Sequence, residues 1–64
     1  MTVLAGILHD TFTDENGKEV AYTETVIGKL EEDVFKCVGL EDFDTFDLEK
    51  EEFFEKVTDL KTVF

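Results

Sequence analysis

Asp14-Glu15-Asn16-Gly17 is the feature that most limits how this chain can fold. Asn-Gly supplies the positive-φ positions of a tight hairpin turn, and here it lies between two β-rich stretches. Residues 2–13 are dense in Val, Leu, Ile, Phe and Thr, and residues 18–27 alternate in the same manner. On the second stretch Val20, Tyr22 and Val26 share one face, and Ala21, Thr23, Thr25 and Ile27 share the other, as the two-residue period of a strand requires. The first half is therefore expected to be a β-hairpin, 2–13 against 18–27, with Gly28 marking a bend or bulge.

Residues 34–40, Val-Phe-Lys-Cys-Val-Gly-Leu, are expected to form a third strand entered through a turn at Glu31-Glu32-Asp33. A short helix stays open there, because periodicity does not decide so short a run. The C-terminal stretch has a different rhythm. At 100° per residue, Phe46, Phe53, Phe54, Val57, Leu60 and Phe64 fall on one side, and Glu51, Glu52, Glu55 and Asp59 on the other. The same stretch read as a strand mixes Phe53 and Val57 with Glu55 and Asp59 on one face. The spacing thus predicts an amphipathic helix over about 47–61, capped by Thr45 or Asp47, with Lys56 and Lys61 in its later turns. The expected fold class is α+β: a small antiparallel β-sheet with this helix across one face, residues 1–64 forming a single domain. An all-β small sheet or barrel is the alternative.

A chain of 64 residues is near the lower limit for folding without a disulfide, a metal or a second subunit. Seven Phe and one Tyr give it a core to build, and they exceed what one monomer readily encloses, so a homodimer is expected. A hydrophobic fraction of 42% argues against disorder. The lone Cys37 excludes an intramolecular disulfide, fits a reducing compartment and reads as a buried structural thiol. The apolar residues 1–8 lack a basic flank and are too few to span a membrane, so neither a signal peptide nor a transmembrane helix is expected, and the expected location is cytoplasmic.

Few chemistries fit the remaining residues. The chain has no Ser, and His9 is its only histidine, so nucleophilic catalysis has no constellation to draw on and no catalytic residue is assigned. One Cys and one His fall short of a structural zinc site. Asp42-Phe43-Asp44-Thr45-Phe46-Asp47 offers three carboxylates, but Phe46 and Asp47 stand where an EF-hand loop needs a ligand and a glycine. Gly6, Gly17, Gly28 and Gly39 are scattered singly, which is the pattern of turns rather than of a phosphate loop. No metal, no cofactor and no enzymatic activity are therefore expected.

Charge is the remaining signal. Seventeen Asp and Glu face six Lys, with no Arg, for a formal net charge of −11. Direct nucleic-acid binding and binding to an anionic membrane are disfavoured, because both need clustered Lys or Arg. Most of the acidity lies after residue 30: Glu31, Glu32 and Asp33, then Glu41, Asp42, Asp44, Asp47 and Glu49, then Glu51, Glu52, Glu55 and Asp59 on the expected outer helix face. A charge run is ordinarily a solvated face. This one exceeds the magnitude of about 2–8 that keeps small domains soluble, and the excess adds self-repulsion with no folding benefit. Carboxylates at i and i+4 of a helix stand about 6 Å apart along its axis, and DNA phosphates rise about 3.4 Å per strand step. These twelve carboxylates are the expected surface for a basic partner.

Small size, extreme acidity, absent Arg and the run Glu41-Asp42-Phe43-Asp44-Thr45-Phe46-Asp47-Leu48-Glu49 resemble the bacteriophage-encoded DNA-mimic inhibitors. The resemblance is one of composition over the whole chain. It implies a frequently dimeric protein in the host cytoplasm that occupies the DNA-binding surface of a nucleic-acid-binding host protein, a histone-like nucleoid protein of the HU type being the first choice. The rival expectation is a protein–protein interaction subunit, such as an antitoxin or assembly factor, with exposed aromatics as its hot spot.

Overall fold

The computed structural model describes all residues, 1–64. Its elements are β1 (Val3–Thr13), β2 (Glu19–Glu31), β3 (Val34–Gly39), β4 (Thr45–Glu49), α1 (Lys50–Lys56) and β5 (Val57–Thr62). The strands make one antiparallel sheet in the order β4-β3-β2-β1-β5. The fold is thus mostly antiparallel sheet with one short helix, and α1 carries the chain from one edge of the sheet to the other.

The hairpin expected from Asn16-Gly17 is present. Gly17 takes φ +77°, a left-handed value cheap only for glycine. The Asp14 carboxylate accepts from the backbone N–H of Asn16 and of Lys18, both at 2.9 Å, which closes the loop locally. β1 and β2 then pair without interruption from Val3↔Lys29 to Thr13↔Glu19. Strand β3 also lies where the sequence places it, after a turn in which Glu32 adopts φ 60°. Gly28 neither bends nor bulges the ladder; it pairs in line with Leu4 and with Cys37. The irregularity falls instead between β1 and β5, between Ala5 and Ile7.

The core lies on the face of the sheet that α1 covers. Leu8, Val26, Phe35, Cys37, Leu48, Phe53 and Val57 form it, with Leu4, Leu30 and Phe46 at its margin. The rings of Phe35 and Phe53 stack at 3.9 Å and 14°, and Phe54 meets Phe35 edge-on at 5.5 Å. Gly28 makes room for this: a Cβ there would stand 2.8 Å from Phe53 Cε2.

The helix expected over 47–61 is only seven residues long. Upstream of it, Phe46 and Leu48 turn inward while Thr45, Asp47 and Glu49 turn outward, a strand alternation stabilised by the ladder to β3. Downstream, Val57, Thr58 and Thr62 are β-branched and satisfy the hydrogen-bonding edge of β1. Pairing across the sheet overrides the helical period at both ends. Neither Thr45 nor Asp47 caps the helix; Glu49 is the N-cap and makes no side-chain capping bond, while Glu51 and Glu52 in the first turn and Lys56 in the last suit the macrodipole. Phe53 and Val57 do share a buried side, but Phe54, Leu60 and Phe64 are substantially exposed.

β3 and β5 reach only part of the long hairpin, so its tip continues as a two-stranded arm, and the molecule measures 42 × 20 × 19 Å. Phe12 and Tyr22 pair on that arm at 5.7 Å between centroids. Truncating Phe53 to Ala is expected to cost about 3–5 kcal/mol. The same change at half-exposed Phe54 costs less, and urea denaturation of the two variants checks the order.

Candidate acidic interface

The ladder between β3 and its neighbours sorts the predicted carboxylates into two groups at opposite ends of β3. At the first end the β2–β3 turn carries Glu32 and Asp33, with Glu31 closing β2. Glu49 pairs with Val34 across the sheet, and Glu51 follows at the start of α1. Lys50 ties the group together: its N–H donates to the Asp33 carbonyl at 2.8 Å and its Nζ stands 3.9 Å from Asp33 Oδ1.

At the other end the β3–β4 loop carries Glu41, Asp42 and Asp44. They face a residue absent from the sequence-based set, Glu24 of β2. Alternation along β2 puts Glu24 on the inner face between Tyr22 and Val26, so an acid at an inward position was the available signal. Glu24 is only 7% exposed, and its carboxylate oxygens lie within 4.8 Å of those of Asp42 and Asp44. Loss of solvent pushes its carboxyl above the ordinary value of 4.5, and the charges of Asp44, Asp42 and Glu41 push it further. The phenol of Tyr22 next to it is also raised, first by burial and then by Asp10, Glu24 and Asp44. Phe12, Tyr22, Glu24, Glu41, Asp42 and Asp44 line one open concavity, and Phe43, at φ 55°, is 75% exposed beside it.

The other predicted residues stand apart. Asp47, on the outer face of β4, binds Lys36 at 2.8 Å, which raises the Lys36 amine. Glu52 pairs with Lys56 at 3.1 Å, and Lys56 also approaches Asp10 at 3.6 Å. Glu55 is exposed on α1 without a lysine partner. Asp59 lies on β5, at the far edge of the sheet, with φ 54°. The single acidic helix face of Glu51, Glu52, Glu55 and Asp59 therefore does not form.

The lone His and Cys lie on opposite faces of the sheet. His9 is exposed, its Nε2 2.8 Å from Thr58 Oγ1. Cys37 is buried in the core, and burial pushes its thiol up to about 11. No helix is long and apolar enough to cross a membrane. Comparison of the chain with protein-family models, curated proteins and solved structures found no match.

Two outcomes follow from these burials. A carboxyl whose folded pKa is raised makes the folded state bind more protons, so stability falls as pH rises through that pKa. Glu24→Gln is therefore expected to raise the melting temperature at neutral pH in chelator-treated buffer, with the gain shrinking as pH falls to the ordinary value of 4.5. Cys37 is expected to resist alkylation at pH 8 in the folded protein and to react fully in denaturant, as mass spectrometry reads directly.

Proposed function

We propose that this protein is an acidic binding module that occupies a Lys/Arg-lined, nucleic-acid-binding surface of another protein and keeps DNA from it. One observation carries the reading. Thirteen of the seventeen carboxylates have no lysine within 4.0 Å, and most of these are gathered in the two groups at the ends of β3. Five strand steps separate Val34 from Gly39, about 17 Å. That is the same order as the major groove, about 12 Å wide, that parts two phosphate ridges in DNA. The groups thus offer two negative ridges separated by the length of β3. This replaces the linear track of a helix face as the basis for mimicry. A small basic DNA-wrapping protein of the HU type is the partner that fits first, as for the phage-encoded inhibitors that the chain resembles in composition. Such a function belongs in the host cytoplasm.

A second reading has its own observation. Phe12, Tyr22 and Phe43 are exposed together beside the second acidic group, an aromatic patch with an acidic rim. In that reading the aromatics hold the partner, or a second copy of the chain in a homodimer, and the charge only steers it.

Competition of the protein with labelled duplex DNA for an HU-type protein, followed by anisotropy across a salt series, separates the two. Charge reversal of Glu32 and Glu51 together, or of Glu41 and Asp42 together, is expected to weaken binding at least about tenfold, equivalent to about 1.4 kcal/mol. The dependence on salt should flatten with it, since exposed charges are screened within about 10 Å at 0.1 M. Binding that ignores salt and both reversals, yet collapses on Phe12→Ala or Tyr22→Ala, overturns mimicry in favour of the aromatic patch.

A further inference from the structure

We propose that Glu24, Asp42 and Asp44 form a binding site for one hard divalent cation, calcium before magnesium. The proposal is independent of any partner. Proximity of the three carboxylates is not its basis, because exposed acids crowd together on many surfaces. Its basis is the state of Glu24. This side chain is more than nine-tenths buried. No protein N–H or O–H donates to its carboxylate, and no lysine stands within 4.0 Å of it. The carboxylate is left unpaired at the mouth of the open concavity, its stem packed in protein, and the groups nearest it add repulsion instead of relief. A cation between the three would reverse that balance.

Gly39 supplies the second part of the site. A Cβ at this position would collide with Glu24 Oε1 and with Asp44 Oδ1. Bare backbone is thus what lets a β2 carboxylate and a loop carboxylate converge. Asp42 and Asp44 are exposed, which leaves the outer side of the cation to water.

The donor chemistry selects the ion. All three ligands are carboxylate oxygens, which suit magnesium and calcium rather than the softer metals that favour imidazole or thiolate. One oxygen from each lies within 4.8 Å of the other two. Calcium takes oxygens at about 2.3–2.6 Å and tolerates irregular geometry, whereas magnesium demands about 2.0–2.1 Å in a near-ideal octahedron. Three acids from a strand and a loop, with water completing the shell, suit the ion that tolerates irregular geometry.

Tyr22 provides the probe. It is the only tyrosine of a chain that has no tryptophan, and it lines the same concavity. Terbium(III), a hard ion with calcium-like ligand preferences, should therefore emit when tyrosine is excited. With chelator-treated protein in 0.15 M KCl at neutral pH, sensitised emission is expected to saturate at one terbium per chain. Calcium should displace it with a dissociation constant within about 10⁻⁵–10⁻³ M, and magnesium more weakly. Glu24→Gln, and separately the double change Asp42→Asn with Asp44→Asn, should each lower terbium affinity at least about tenfold. Glu15→Gln, which removes an equal charge at the hairpin tip, should not. Because Asp42 and Asp44 are exposed, the double variant carries the test even if Glu24→Gln disturbs folding. Emission that keeps rising past several equivalents, or that survives the site variants as well as it survives Glu15→Gln, means an adventitious ion only and overturns the proposal.

Discussion

The stacking of Phe53 on Phe35 is the contact on which the rest of the fold depends. α1 has seven residues, too few to be stable alone, and its N-cap contributes no side-chain bond. What holds it is the ring of Phe53, lying flat on Phe35 over the open backbone of Gly28. With the helix pinned there, Glu49 can end β4 at one edge of the sheet and Val57 can begin β5 at the other. Loss of that stack removes the reason for the crossing, and with it the strand that covers β1.

Electrostatics works against this small core. A net charge of −11 on 64 residues favours expansion, and the chain limits the damage by placing its acids at turns and at the sheet rim, where water screens them. Three lysines, Lys36, Lys50 and Lys56, are spent on local pairs that fasten β3 to β4, the β2–β3 turn to α1, and α1 to β1. These pairs are at least partly exposed, so each contributes little by itself. Glu24 is the exception to the pattern of exposed acids, enclosed where the other acids are solvated.

How much could be read from the sequence depended on whether a signal was local. Asn16-Gly17 with its flanking alternation located the hairpin, and the Val/Phe/Val content of 34–40 located β3. The stretch after residue 45 deceived because Phe53 and Val57 suit a helix face, yet only the first of them is in the helix. The ladder partners that make Thr45–Glu49 and Val57–Thr62 strands come from β3 and β1, distant in sequence and invisible to a periodicity of side chains. The same limit governed the acidic residues. Asp42 and Asp44 stand together as loop acids in the sequence, but Glu24 comes from β2, eighteen or more residues earlier in the chain. Its inward position in the β2 alternation was the one legible sign.

The pairing of the last strand with the first has a kinetic consequence. β1 to β4 are successive neighbours and can form by short-range hairpin closure, whereas Leu4↔Thr62 and Leu8↔Val57 join opposite ends of the chain. Such distant contacts carry the largest loop-closure entropy, so they form late and slow the folding of a sheet. During synthesis one side of β1, with its row of open N–H and C=O groups, must wait until residues 57–62 have emerged. A strand edge left bare for that interval is a template for pairing between chains. The repulsion between highly acidic chains acts over about 10 Å at 0.1 M salt, farther out than the contact of two bare edges. The same charge that strains the finished fold thereby shields its unfinished one.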